Sequence, residues 1–97
     1  MLVVRELVRN EVGLHARPAA IFVQSANKFR SRITIRNVSN GGIFVNAKSI
    51  LQFITLGVEQ GHEVEIRKEG EDEATAATAL KQLLVSDFAI VSTGEKP

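Results

Sequence analysis

Residues 13–20 read Gly-Leu-His-Ala-Arg-Pro-Ala-Ala, and the residue pattern changes from strand-like to helical within this segment. Before it, residues 2–9 are rich in β-branched side chains, which predicts a strand. Pro18 suits the first turn of a helix, where its missing N–H does no harm. A helix over about residues 16–29 is therefore predicted, with one apolar stripe made of Ala19, Phe22, Val23, Ala26 and Phe29.

The rest of the chain alternates short strands and helices. Alternation around Ile33 and Ile35 predicts a strand over residues 31–37, and the turn-forming residues 38–42 then lead to a strand over residues 43–45, which suggests a hairpin. A short apolar helix is expected after Ser49, a fourth strand around residues 63–67, and a third helix with the stripe Ala76, Ala79, Leu80, Leu83 and Leu84. The order β-α-β-β-α-β-α predicts an α+β fold. We expect an open-faced β-sandwich, a four-stranded antiparallel sheet with three helices on one face.

Composition limits the function classes. The 97 residues suit one domain, expected over residues 1–88, with a tail at 89–97 that is expected to be partly disordered. A net charge of +1 does not indicate nucleic-acid binding, and the absence of cysteine excludes disulfides and thiol catalysis. No apolar run approaches the roughly 20 residues that span a bilayer, and charges occur too early for a signal peptide. We therefore expect a cytoplasmic protein that does not insert into membranes. A monomer is also expected.

His15 is the leading candidate for chemistry. It precedes the predicted helix, whose amino end favours an anion because of its N–H groups and the helix dipole. A neutral imidazole there could accept a phosphoryl group, which the backbone N–H groups of Ala16 and Arg17 and the Arg17 guanidinium could contact. The alternative is a structural histidine, either an N-cap or a buried ring with a satisfied hydrogen bond.

Other chemistries lack their motifs. There is no G-x-S-x-G segment, and Gly41-Gly42 lacks the G-K-[ST] of a phosphate-binding loop. The second histidine, His62, has no metal-ligand spacing around it, so neither a metal nor a cofactor is expected. The chain can accept and donate a phosphoryl group but shows no means of generating one from ATP.

Two segments carry a family resemblance that covers about residues 2–88. Residues 13–19 resemble the active-site signature of the HPr family, the histidine-containing phosphocarriers of the bacterial phosphoenolpyruvate:sugar phosphotransferase system. Residues 45–51 and 56–58 resemble the regulatory-serine segment of the same family. The resemblance implies a carrier rather than an enzyme: Enzyme I would phosphorylate Nδ1 of His15, Arg17 would contact the phosphate, and an EIIA domain would then accept it for sugar uptake.

Ser49 has two compatible interpretations. It is a good N-cap for the helix that follows. In relatives the matching serine is phosphorylated by an ATP-dependent HPr kinase/phosphorylase, which would add about two negative charges near a surface that meets other proteins. Gln52 departs from the small residue often found at the matching position in serine-regulated relatives.

The resemblance also implies a partner-binding surface. If Phe53 and Leu56 enter the core, other apolar residues of the same helix turn outward; the alternative is full burial of the helix. Two further functions stay open: a regulatory module in which Ser49 phosphorylation controls docking to a transcriptional regulator, and a carrier of a nitrogen-related phosphotransferase branch. The expected partner-binding residues are Ala19, Ala20, Lys48, Ile50, Leu51 and Ile54.

Overall fold

The computed structural model describes residues 1–11 and 13–85. Four strands and three helices follow the predicted order. Among these residues, no helix combines the length and the apolar character needed to cross a membrane. The elements are β1 (Leu2–Leu7), α1 (Ala16–Ala26), β2 (Arg32–Asn37), β3 (Val45–Asn46), α2 (Ile50–Phe53, continued by a 3-10 turn over Ile54–Leu56), β4 (Glu63–Glu69) and α3 (Glu73–Val85).

The four strands form one antiparallel sheet in the order β1-β4-β2-β3. β4 lies between β1 and β2, and in this register Ile35 pairs with Ile66. On β2 the alternate residues Ile33, Ile35 and Asn37 are buried, because that face of the sheet lies against the helices. The predicted α+β fold, an open-faced four-stranded sheet with three helices, is confirmed.

The core lies between the sheet and the helices. The rings of Phe22 on α1 and Phe53 on α2 are fully buried, with centroids 5.1 Å apart and ring planes tilted by 36°. Burial of one such side chain contributes about 1.5–3 kcal/mol relative to exposure. This contact fixes the position of α2 against α1, and both helices begin with residues of the candidate site.

Helix α1 is shorter than the predicted range of 16–29. Its stripe of Ala19, Phe22, Val23 and Ala26 is buried as predicted, but the helix ends at Ala26. The Asn27 side-chain amide donates to the carbonyl oxygens of Val23, at 2.9 Å, and of Lys48, at 3.0 Å, so this residue closes the helix and links it to the segment before α2. Phe29 packs against the core from the turn that follows.

Other element boundaries also differ from the prediction. The strand expected at residues 43–45 is limited to Val45–Asn46, with Ile43 80% exposed. Phe44 lies outside the ladder and packs its ring against the guanidinium groups of Arg67, at 4.0 Å, and Arg36, at 5.3 Å. β1 ends at Leu7 rather than residue 9, and β4 extends to Glu69. The expected boundary at residue 88 and the tail 89–97 lie outside the described residues.

Candidate functional site

His15 lies immediately before α1 in an extended conformation, with φ −114° and ψ 167°. Its side chain makes no capping hydrogen bond to the helix, and it is 39% exposed. His15 therefore stands at the N-cap position, as one structural interpretation expected, although its side chain makes no capping hydrogen bond. The other structural interpretation, a buried ring, is wrong. The imidazole is accessible at the amino end of a helix, where an anion is favoured.

Ala16 enters the helix through an unusual backbone conformation. Its φ is +50°, in the left-handed region, which costs a residue with a Cβ roughly 1–2 kcal/mol. Such a conformation persists only where surrounding contacts fix it, and it is found preferentially at functional sites. One contact that fixes the backbone before Ala16 is made by Leu14. This residue is 2% exposed, and its N–H donates to the Val58 carbonyl oxygen at 3.0 Å.

The loop before α1 packs directly against the loop before β4. Gly13 has φ +65°, and a Cβ atom at this position would lie 2.2 Å from the Val58 carbonyl oxygen, so only glycine allows this approach. The buried Asn10 amide donates to the Gly13 carbonyl oxygen, and the Gln60 amide donates to the carbonyl oxygen of Arg9 at 3.1 Å. These contacts bring Glu59 beside His15.

Glu59 forms the side-chain contact of the histidine. Its Oε2 lies 3.2 Å from Nε2 of His15, across 44 positions in the sequence. An ionised carboxylate only accepts hydrogen bonds, so Nε2 carries the hydrogen in this contact. In a neutral imidazole the lone pair then resides on Nδ1. Glu59 was not among the site residues predicted from the sequence, because no local pattern links it to His15. The one indication in the sequence is that Glu59 directly follows residues 56–58, which resemble the HPr family.

The remaining residues around α1 differ in accessibility. Arg17 is exposed in the first helical turn, and Pro18 lies in the same turn, as predicted. Ala20 is half-buried. Ala19 was expected to bind partners, but this expectation is wrong, because its side chain packs inside the core and is 0% exposed.

Ser49 is the N-cap of α2, as one of its two interpretations predicted. Its Oγ accepts a hydrogen bond from the Gln52 N–H at 3.3 Å, and the residue is half-buried. The Gln52 side-chain oxygen accepts from the Asn46 N–H at 2.9 Å, so this glutamine joins β3 to α2. Ser49 therefore already has a structural role at a partly accessible position.

Helix α2 and its 3-10 extension divide into a buried and an exposed face. Phe53 and Leu56 are buried, whereas Ile50, Leu51 and Ile54 are 42%, 74% and 47% exposed. Full burial of this helix is therefore the wrong alternative. We call the three exposed residues the apolar patch. Lys48 precedes it, half-buried, with its ammonium donating to the Phe29 carbonyl oxygen at 2.6 Å.

Known proteins are similar to this chain in sequence and in fold. A family model described as "PTS HPr component phosphorylation site" matches residues 5–86. The phosphocarrier protein HPr of Mycoplasma pneumoniae is 41% identical over 81 residues, which cover 84% of this chain and 90% of that protein. The crystal structure of HPr-C-His from Thermoanaerobacter tengcongensis is 44% identical, with a TM-score of 0.85 and 100% of both chains covered.

A longer relative contains a similar segment. The multiphosphoryl transfer protein of Haemophilus influenzae is 42% identical over 79 residues, which cover 81% of this chain but 16% of that protein. The chain thus spans about a sixth of the length of this relative and about nine tenths of the M. pneumoniae HPr.

An accessible histidine on an open-faced sandwich, together with these similarities, defines a phosphocarrier protein of the phosphotransferase system. More narrowly, the chain belongs to the HPr family. The resemblance to this family, first seen in residues 13–19, 45–51 and 56–58, is thereby confirmed for the chain as a whole.

Proposed function

We propose that this protein accepts a phosphoryl group from phospho-Enzyme I on Nδ1 of His15 and passes it to EIIA domains for sugar uptake. The observation that carries the proposal is the 3.2 Å contact between Glu59 Oε2 and His15 Nε2. Because Nε2 donates in this contact, Nδ1 is the ring nitrogen with a lone pair available for attack on phosphorus.

Transfer consists of two displacements. The Nδ1 lone pair forms the bond to phosphorus while the bond from phosphorus to Enzyme I breaks. In the second step a nucleophile of the EIIA domain attacks phosphorus, and the P–N electron pair returns to Nδ1. His15 thus carries the group only transiently, and the protein is a substrate of Enzyme I rather than an enzyme.

Two kinds of group at the start of α1, backbone N–H groups and a guanidinium, are proposed to stabilise the phosphoryl oxygens. Backbone N–H groups of Ala16 and Arg17 lie at the positive end of the helix dipole, where anions are favoured. The exposed Arg17 guanidinium supplies charge-assisted hydrogen bonds. Neither contact needs a metal ion or a cofactor.

The apolar patch is proposed to dock Enzyme I and the EIIA domains in turn, together with Ala20 and Lys48. It lies on the helix whose Phe53 packs against Phe22 of α1, the helix that begins beside His15. Transient complexes need only a modest interface, so a patch of three exposed aliphatic residues is sufficient. The protein is proposed to act as a cytoplasmic monomer.

Phosphorylation of Ser49 is a second candidate function. The residue is half-buried immediately before α2, where a phosphate would lie at a helix amino end and next to Ile50 of the apolar patch. A negative charge there would weaken docking of Enzyme I. This role supplements the carrier role, because a purely regulatory module or transcription-factor ligand would not need an accessible His15.

One experiment tests the carrier function directly. The protein is incubated with phosphoenolpyruvate and Enzyme I, and mass spectrometry counts and locates the phosphate. We expect one acid-labile, alkali-stable phosphate on His15, none in His15→Ala, and an unchanged result in the Ser49→Ala control. Full phosphorylation of His15→Ala would disprove the proposal. Adding EIIA domains of the sugar and nitrogen-related branches to the phosphorylated protein then shows which branch accepts the phosphate.

A further inference from the structure

The second histidine, His62, is part of the loop that carries Glu59. Its Nδ1 lies 3.0 Å from the backbone nitrogen of Glu59 and 3.0 Å from the side-chain amide nitrogen of Asn37. A backbone N–H and an amide NH₂ are both donors, so Nδ1 of His62 accepts both hydrogen bonds. The neutral ring of His62 is thereby held with its hydrogen on Nε2.

The same turn fixes the backbone of Glu59 from several sides. The His62 N–H donates to the Glu59 carbonyl oxygen at 3.0 Å. Val8 pairs with the carboxyl end of this turn, donating to the His62 carbonyl oxygen at 2.8 Å and accepting from the Gly61 N–H at 2.8 Å. Asn37 is fully buried, and its amide also donates to the Leu56 carbonyl oxygen at 3.2 Å. Glu59 therefore extends an exposed carboxylate from an anchored backbone.

We propose that His62 and Glu59 are positioning residues for His15. His62 holds the backbone of Glu59, and the Glu59 carboxylate accepts the Nε2–H of His15, which keeps the lone pair on Nδ1. The consequence for phosphoryl transfer rests on the proposed function above, but the effect on the His15 tautomer does not.

The proton on Nε2 of His15 has a role both when the phosphoryl group is accepted and when it is passed on. When Nδ1 bonds to phosphorus, the ring becomes a cation that still carries Nε2–H, and the Glu59 carboxylate balances its charge. When the P–N bond breaks, the electron pair returns to Nδ1 and a neutral imidazole leaves rather than an imidazolate anion. A His15 ring with its hydrogen on Nδ1 has no lone pair there and cannot attack.

The tautomer of His15 is measurable in the unphosphorylated protein. Nitrogen-15 NMR of the ring nitrogens reports the ratio of the two neutral forms, recorded roughly two pH units above the reference histidine pKa of about 6.5. Because the His15–Glu59 pair is exposed, its loss in Glu59→Ala should raise the ratio of Nδ1–H to Nε2–H by about two- to five-fold. Glu59→Gln retains an acceptor and should change the ratio less, and Glu71→Ala, an exposed carboxylate elsewhere, should not change it.

Two variants of His62 distinguish a role in positioning Glu59 from a role in the stability of the fold alone. In His62→Asn the side-chain oxygen occupies the place of Nδ1 and can accept the same hydrogen bonds, whereas His62→Leu has no acceptor. We expect His62→Leu to raise the Nδ1–H form of His15 as Glu59→Ala does, and His62→Asn to restore the original ratio. Equal ratios in His62→Leu and His62→Asn would overturn the role of His62.

Phosphoryl transfer from phospho-Enzyme I gives an independent measurement. Glu59→Ala should lower kcat by about two- to five-fold with an unchanged KM, because the carboxylate acts on the ring rather than on docking. An unchanged tautomer ratio in Glu59→Ala, which is exposed and needs no repacking, overturns the inference. If the unaltered protein takes up no phosphate on His15, the proposed function fails instead, while the tautomer ratios still decide the inference.

Discussion

Gly13 and Val58 join the two loops of the site by a backbone contact that no side chain could enter. A Cβ on Gly13 would lie 2.2 Å from the Val58 carbonyl oxygen and 2.8 Å from the Cα of Glu59. The neighbouring Leu14 N–H donates to the same oxygen at 3.0 Å. Gly13 thus determines how closely Glu59 approaches His15.

Gly13→Ala should therefore destabilise the protein more than an ordinary glycine replacement. The matched control is Gly41→Ala, because Gly41 has a similar φ of +72° but a Cβ added there would meet nothing within 4 Å. Both variants carry the left-handed strain, and only Gly13→Ala adds overpacking, which costs about 1–3 kcal/mol. Urea denaturation measures the difference; equal losses of unfolding free energy would contradict the close contact.

The buried faces of the helices were predictable, because apolar residues at helical spacing indicate which side of a helix packs against the core. In α1 the spacing of Ala19, Phe22 and Ala26 predicted the buried face. The shortened β3 was not predictable, because Phe44 leaves the ladder to pack against arginines of two other strands. The Glu59–His15 contact was not predictable either, because it forms between two loops that lie 44 positions apart in the sequence.

Arg17→Ala is expected to slow phosphoryl transfer without unfolding the protein. The side chain is exposed in the first turn of α1, so its removal should leave the core intact. Loss of a charge-assisted contact to the phosphoryl group should reduce the transfer rate about ten-fold. Rapid-quench assays with phospho-Enzyme I measure the rate, and Arg30→Ala, another exposed arginine, is the control. A large fall in thermal stability would argue against a role in phosphate binding.

Leu51→Ser tests the apolar patch. Leu51 is 74% exposed, so serine removes apolar surface at the docking face without opening a cavity. We expect KM for Enzyme I to rise about ten-fold with little change in kcat, which corresponds to about 1.4 kcal/mol of lost apolar contact. Ile43→Ser is the control, because Ile43 is 80% exposed in the segment before β3. A matching rise in KM for the control would show that the patch is not specific.

Two replacements of Ser49 should separate its capping role from its regulatory role. Ser49→Ala removes the acceptor of the Gln52 N–H and should lower the unfolding free energy by about 1 kcal/mol while leaving KM unchanged. Ser49→Asp retains an acceptor but places a charge beside Ile50, so stability should be kept while KM for Enzyme I rises. Denaturation and transfer kinetics together give the comparison. Identical KM values for both variants would remove the support for regulation at Ser49.

Lys68 gives the fold a pH-dependent contribution to stability that the strand pattern explains. It follows Val64 and Ile66 on the helix-facing side of β4 and is 1% exposed. Burial lowers the pKa of Lys68 to about 8 from its usual 10.5, because the charged ammonium loses hydration. Between these two values the unfolded chain binds more protons than the native state, so this residue destabilises the fold below pH 8 and ceases to do so above pH 10.5.

Lys68→Met should consequently stabilise the protein at neutral pH, by at most about 3 kcal/mol, since the thioether fills a similar volume without a charge. The gain should shrink as the pH rises through 8 and be lost near 10.5, where the lysine is neutral in both states. Urea denaturation of both proteins across this range measures the gain, and Lys28→Met, at an exposed lysine, is the control. A gain that stays constant with pH would mean that the Lys68 ammonium is hydrated in the folded protein, and that the stabilisation comes from packing alone.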